Sequence, residues 1–415
     1  MTAGVAVERW SRREIVALAG VVVAGIVIRV PLLPTPGLSG DMDQFAGWIH
    51  AIATNGLGTI YQPQPAGPVT FGPVMAYVWA VLAAIEPAFR TVTDASDPAI
   101  RELMKVPASI ADVGLAILVA YGLRARPGWA VIGAAAILLH PAVIDISAWW
   151  GQYESIYLLS ALTAAILAIN GRNGWAAAAI AVSLLTKPQA LPLLIPFAAW
   201  IWATGGWRGL LRAAMIGAAV IAVVWLPFIP GGGPAGYLRN LGEYQNDIFP
   251  FLSLRAWNAW WLVQQLAAGG GFIRDDAAVL GPLTLRTFGY AIAVALDLGI
   301  GVLVIRDPRP RTLLLGLTGS VLVFFSFATQ MHERYAYAAL VFLALLIPER
   351  RLRLLALAFG VVFTLNLLAA IPPTPDISAL LPVSGALGVA GSLAMLVMAG
   401  IAVDMLTRNP VDASP

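Results

Sequence analysis

Two carboxylates separated by one residue, Asp41 and Asp43, are the first side chains whose types and spacing could run an acid–base step. They open a segment, Met42 to Ala53, that is amphipathic at helical period. Met42, Phe45, Ala46, Ile49 and Ile52 share one face, and Asp43, Gly47, His50 and Thr54 share the other. One carboxylate of such a pair can take a proton while the other orients it or holds a cation. A divalent cation between Asp41 and Asp43 is thus the one cofactor the sequence leaves open. Asp41 also stands where a helix N-cap would, which is its structural alternative.

Three further clusters carry ionisable or polar groups. The first runs from His140 to Ser155 and includes Trp149-Trp150-Gly151-Gln152-Tyr153-Glu154. Its tryptophans read as interface anchors. Gln152, Tyr153 and Glu154 enter the next apolar run and are candidates to bind substrate. His140 and Asp145 lie inside an apolar run, where ionisable groups are either functional or polar packing contacts. In the second, Lys187 stands with Pro188 and Gln189 at a break in the run 174–204. Lys187 can meet an anionic head group or snorkel to the interface. The third, His332-Glu333-Arg334, reads as the opening of a helix. A helix start attracts anions, and arginine forks onto phosphate oxygens. Arg334, His332 and Lys187 are therefore the candidate phosphate ligands, with Gln189 and Glu333 beside them as substrate contacts. The aromatic stretch Phe249 to Trp261 adds Trp257 and Asn258, whose surroundings could stack on a sugar ring and shape an acceptor groove.

The elements that must position these groups are membrane helices. The chain has 415 residues, 59% apolar and 11% charged, against about 25% charged in soluble domains. That excludes an ordinary soluble protein. Long unbroken apolar runs, rather than strict alternation, exclude a β-barrel. The two lysines are Lys105 and Lys187, and there is no cysteine, so thiol catalysis and thiolate metal sites are excluded. Single arginines between apolar runs are topology signals and not a nucleic-acid footprint.

The basic start, Arg9 to Arg13, runs into the apolar stretch Ile15 to Leu33 and reads as a retained first helix. Arginine-bearing connections at Arg9/Arg12/Arg13, Arg124/Arg126, Arg172, Arg208/Arg212, Arg306/Arg309/Arg311, Arg350/Arg351/Arg353 and Arg408 are expected in the cytoplasm. All can lie there if the run 72–90 does not cross completely. The expectation is an all-α polytopic membrane protein, a single domain over 1–415 with about 12 transmembrane helices in the inner or plasma membrane. Two long outer loops, 34–102 and 230–282, carry interfacial helices, the second acting as a lid. Every cluster described above then faces the extracytoplasmic side, where no nucleotide is supplied and an activated group must arrive on a lipid carrier.

Taken in order, Gly40-Asp41-Met42-Asp43, His140-Pro141 through Tyr153, Thr186-Lys187-Pro188-Gln189, Phe249-Pro250 through Trp260 and His332-Glu333-Arg334-Tyr335 resemble the GT-C superfamily of polyprenyl-phosphate-sugar-dependent glycosyltransferases. The likeness is to its bacterial, mannosyltransferase-like members. It implies a GT-C-type bundle and an acidic residue of the first outer loop, Asp41 or Asp43, as catalytic base. It also implies a large outer loop, here 230–282, that covers the donor. The Trp-Trp-Asp signature of oligosaccharyltransferases does not occur, so a single sugar rather than a preassembled glycan is expected to move. The implied reaction transfers mannose or another hexose, with inversion, to a hydroxyl of a glycan, glycolipid or protein, among membrane lipids and without nucleic acid. The alternative class is a transporter or lipid flippase with His140, Asp145, Glu154 and Lys187 along its path. The absence of an internal repeat speaks against it.

Overall fold

In the computed structural model residues 9–408 are described, so both ends of the expected domain 1–415 lie outside the described residues. The described chain is mainly helical. Seven helices are long and apolar enough to cross a membrane, and the pair Pro127–Leu138 and Pro141–Trp150, bent by 48°, would make an eighth. Pro73–Ile85, Glu154–Ile169 and Asn173–Thr186 are apolar but shorter. The expected count of about 12 full spans is not reproduced by length and composition, for local reasons. The runs at 153–170 and 174–186 make helices of 16 and 14 residues. The run at 334–348 begins as a 3-10 turn and yields an eight-residue helix, Tyr337–Ala344. A bilayer needs about 20 residues. Pro73–Ile85 has 13 residues, about 20 Å at 1.5 Å per residue, short of a hydrocarbon core of about 30 Å. The long helix Leu194–Trp225 leaves helical geometry at Gly206, with φ 61 and ψ −168, between the two runs read as separate spans.

The chain divides into two compact units. The first comprises Met1–Leu167, Gly174–Ala190 and Ala213–Tyr244. Its first helix starts at a capping box, with Ser11 and Glu14 each satisfying the other's backbone N–H. Ile15, Val16, Val23 and Val27 are exposed along it, a surface suited to lipid. Proline stands at the first position of Pro73–Ile85, Pro98–Gly122 and Pro127–Leu138, where its missing N–H has no partner to lose. The amphipathic segment is the helix Ser39–Asn55, with the predicted apolar face buried throughout. That face builds the core of the unit. Phe45, Trp48, Phe71, Trp79 and Tyr153 pack as one aromatic cluster, ring centroids 5.0 Å apart for Phe45 and Tyr153 and 5.3 Å for Trp48 and Trp79.

The second unit comprises Ala168–Asn173, Leu191–Arg212 and Gln245–Pro415. Pro310–Phe327 is its axis, buried along most of its length. It packs against Leu285–Arg306, Tyr337–Ala344 and Gly385–Thr407. Small residues permit the close approach: a Cβ on Gly316 would lie 2.7 Å from Val304 Cγ2. Two tiny strand pairs organise its loops. Ser253–Leu254 runs parallel to Met331–His332, and Ala278–Leu280 pairs antiparallel with Leu283–Thr284.

Candidate active site

Asp41 lies inside the first turn of Ser39–Asn55, whose N-cap is Leu38. The N-cap expectation for Asp41 is corrected: its carboxylate faces other side chains instead of its own helix start. Oδ2 accepts from Trp150 Nε1 at 2.9 Å and from Gln152 Nε2 at 2.5 Å. These donors lie 109 and 111 residues along the chain, at the end of the π-helix Asp145–Trp150 and just beyond it.

Two glycines let this approach happen. Gly151 has φ 94, and a Cβ there would sit 2.4 Å from Met42 Sδ. Gly37 has φ 62, and a Cβ would sit 2.6 Å from the carbonyl oxygens of Trp149 and Trp150. Both positions demand the left-handed region that glycine occupies without strain. Lys105 Nζ then ties the segments together, donating to Trp149 O at 2.6 Å and to Thr35 O at 2.8 Å. The sequence reading missed Lys105, which shares the helix Pro98–Gly122 with Asp112.

Asp43 points elsewhere. It is exposed, and its Oδ1 accepts from Ala95 N at 2.9 Å, tying the helix to the loop before Pro98. His50, on the same face, places Nδ1 2.9 Å from Phe89 O. The two acids thus diverge. Asp41 Oδ2 is engaged by N–H donors, and no group of three or more His, Cys, Asp or Glu residues gathers among the described residues. This arrangement does not fit a divalent cation held between Asp41 and Asp43.

Lys187 forms a buried ion pair with Glu154 at 2.5 Å and stands 4.8 Å from the Phe71 ring centroid. Lys187, a candidate phosphate ligand, is thus also a framework cation whose burial the carboxylate makes tolerable. Glu154 is consumed in the same pair. Tyr153 is fully buried in the aromatic cluster and donates to Met104 O at 3.2 Å, so its expected place against substrate is corrected to a core position. Gln152 and Gln189 each keep a buried side-chain oxygen with no hydrogen bond among the described residues. A second group missed in the sequence is Asp112, which accepts from Arg29 at 2.8 Å and from Ser147 and Ser155. The signal was available, since single ionisable residues in apolar runs need partners.

In the second unit, His332 ends a strand and Glu333–Ala336 is a 3-10 turn. The expected helix start at His332 is thereby corrected; the α-helix begins at Tyr337. Arg334 and Glu333 are buried and paired at 3.2 Å. The His332 ring packs edge-on to Phe249 and Tyr335, at 5.6 Å and 5.1 Å. Trp257 and Asn258, expected in an acceptor groove, are buried instead. Asn258 caps Ala259–Ala268 by accepting from Trp261 N and donates to Phe325 O at 2.9 Å. Trp257 Nε1 donates to Val383 O at 3.1 Å. Aromatic residues near an interface serve packing and recognition equally well, and here packing takes them.

The first unit thus holds a carboxylate clamped by side chains, and the second a buried Arg–Glu pair next to a histidine. The sequence model of the ALG6, ALG8 glycosyltransferase family matches residues 73–372. The chain belongs to that family and is a membrane glycosyltransferase of the GT-C superfamily. The crystal structure of ArnT from Cupriavidus metallidurans bound to undecaprenyl phosphate is similar in fold. Its TM-score is 0.51 at 16% identity, over 94% of this chain and 76% of that one. The comparison with curated proteins returns no match. The family match includes His332, Glu333 and Arg334 and begins after Asp41 and Asp43, so the reading of the two acids rests on geometry.

Proposed function

We propose that the chain transfers a single hexose, mannose or another, from a polyprenyl phosphate to an acceptor hydroxyl on the extracytoplasmic face, with inversion. The observation that carries this reading is the Asp41 carboxylate, held by Trp150 and Gln152. The ArnT structure contains undecaprenyl phosphate, which supports the same class of carrier here. The arginine-bearing connections support an extracytoplasmic placement of the loops 34–102 and 230–282.

In this scheme Asp41 takes the acceptor proton as the acceptor oxygen bonds to the anomeric carbon. The bond from that carbon to the phosphate oxygen breaks, and its electron pair leaves with the lipid phosphate. Direct displacement inverts the carbon, as in inverting glycosidases. His332 and Arg334 are assigned to the phosphate, whose charge grows in the transition state. Gln152, Gln189 and Glu333 are assigned to substrate. Asp43 and the Glu154–Lys187 pair position the framework.

The test is purified protein with a labelled polyprenyl-phosphate hexose and extracted envelope lipids as acceptor. Sugar transfer with stoichiometric release of lipid phosphate is expected. Intact donor after prolonged incubation contradicts the reading. In cells, a cysteine at exposed Thr54 should react with an impermeant thiol reagent, while one at exposed Pro308 should stay unlabelled.

A further inference from the structure

Arg255 is held in a conformation that arginine does not choose. Its φ is 64, one of two positive values among the described non-glycine residues, the other being Gln330 at 62. The left-handed region brings Cβ too close to the following carbonyl, so only glycine adopts it freely. The surroundings impose it nonetheless. Asn366 grips the chain on the C-terminal side of the residue, its Nδ2 donating to Arg255 O at 2.9 Å and its Oδ1 accepting from Trp257 N at 2.9 Å. The neighbours Leu254 and Ala256 are buried. A strained backbone this firmly fixed by its surroundings is characteristic of functional positions.

The strain sets where the side chain goes. Arg255 follows the two-residue strand that pairs with Met331–His332, and it makes its own backbone bridge to His332. Its flanking residues are buried while Arg255 itself is exposed. Of the five N–H donors of a guanidinium, Nη1 donates to Ala370 O at 3.0 Å. No carboxylate pairs with Arg255 among the described ion pairs. An always-charged planar fork is therefore presented on the same backbone bridge as His332, with donors to spare for an anionic oxygen.

We propose that Arg255 is a further ligand for the phosphate of the prenyl carrier. The inference deepens the reading above and rests on it. A phosphate oxygen suits a fork better than it suits an ammonium, and the bond to Ala370 O at the end of helix Arg350–Ala370 uses one donor of the fork.

The experiment measures binding of farnesyl phosphate to the full chain in zwitterionic nanodiscs, with the thermal midpoint recorded alongside. The parent is expected to bind, and Arg255→Gly to bind at least tenfold more weakly with a thermal midpoint close to the parent's, because relief of the strain at φ 64 offsets the lost bond to Ala370 O. Arg255→Gln, which keeps the aliphatic stem, is expected to lose the same affinity. Parent-like affinity in either variant overturns the proposal. So does displacement of farnesyl phosphate from the parent by equimolar phosphatidylglycerol, which would make the anion a bilayer head group. If the parent itself binds no farnesyl phosphate, the donor reading falls first and this assignment with it; if the parent binds and the variants bind alike, only Arg255 is excluded.

Discussion

The two units position their polar groups by different means. In the first, a carboxylate is held by side chains: Trp150 and Gln152 reach Asp41 from more than a hundred residues away, and Lys105 fixes the segment that carries them. In the second, the backbone holds the site's nitrogen-bearing side chains. A two-residue parallel strand pair, two residues at positive φ and the donation of Gln330 N to the carbonyls of Phe251 and Leu252 set where His332 and Arg255 stand. A side-chain clamp fails when a donor or a charge is removed. A backbone clamp keeps its geometry when a side chain is changed, so such a change shows in what the side chain binds. The first kind should therefore show its largest effects with charge-removing substitutions, and the second with the geometry of the cationic fork.

The buried ion pair offers the largest expected stability effect. Removing one partner leaves an uncompensated buried charge, worth about 3–5 kcal/mol. Lys187→Met should lower the thermal midpoint sharply, while the double variant Lys187→Met with Glu154→Leu should recover most of it. A double variant as unstable as the single one would show that the pair does more than neutralise charge. In the second unit, Arg334→Lys keeps the charge and loses the fork. A smaller change is expected, roughly tenfold weaker binding of farnesyl phosphate or about 1.4 kcal/mol, with the fold intact. Unchanged affinity would remove Arg334 from the phosphate site and leave His332 and Arg255 to carry it.

What was legible in the sequence follows the same division. Periodicity exposed the helix around Asp41, since Met42, Phe45, Ala46, Ile49 and Ile52 are all buried. Proline marked the break after Lys187, because a ring without an N–H cannot donate into the helical hydrogen-bond ladder. Pairings were not legible. Nothing local joins Lys187 to Glu154 or Arg29 to Asp112; Lys187 and Glu154 looked like separate candidates, and Arg29 and Asp112 went unnoticed, until the fold paired them. Tyr153, Trp257 and Asn258 looked like recognition residues because aromatic and amide groups serve both packing and binding. Arg255 carried no sequence signal, since a positive φ is a property of the folded backbone and arginine is not a residue that advertises it.

The most direct test of the account is single-turnover sugar transfer by Asp41→Asn, with binding of farnesyl phosphate measured separately. The substitution keeps the size of the side chain and an oxygen for the N–H groups of Trp150 and Gln152, while removing the base. Loss of a general base costs about 10² to 10⁴ in rate. The account predicts a fall of that order with binding unchanged, and a much smaller fall for Asp43→Asn, whose carboxylate only accepts from Ala95 N. Transfer at the parent rate by Asp41→Asn would contradict it.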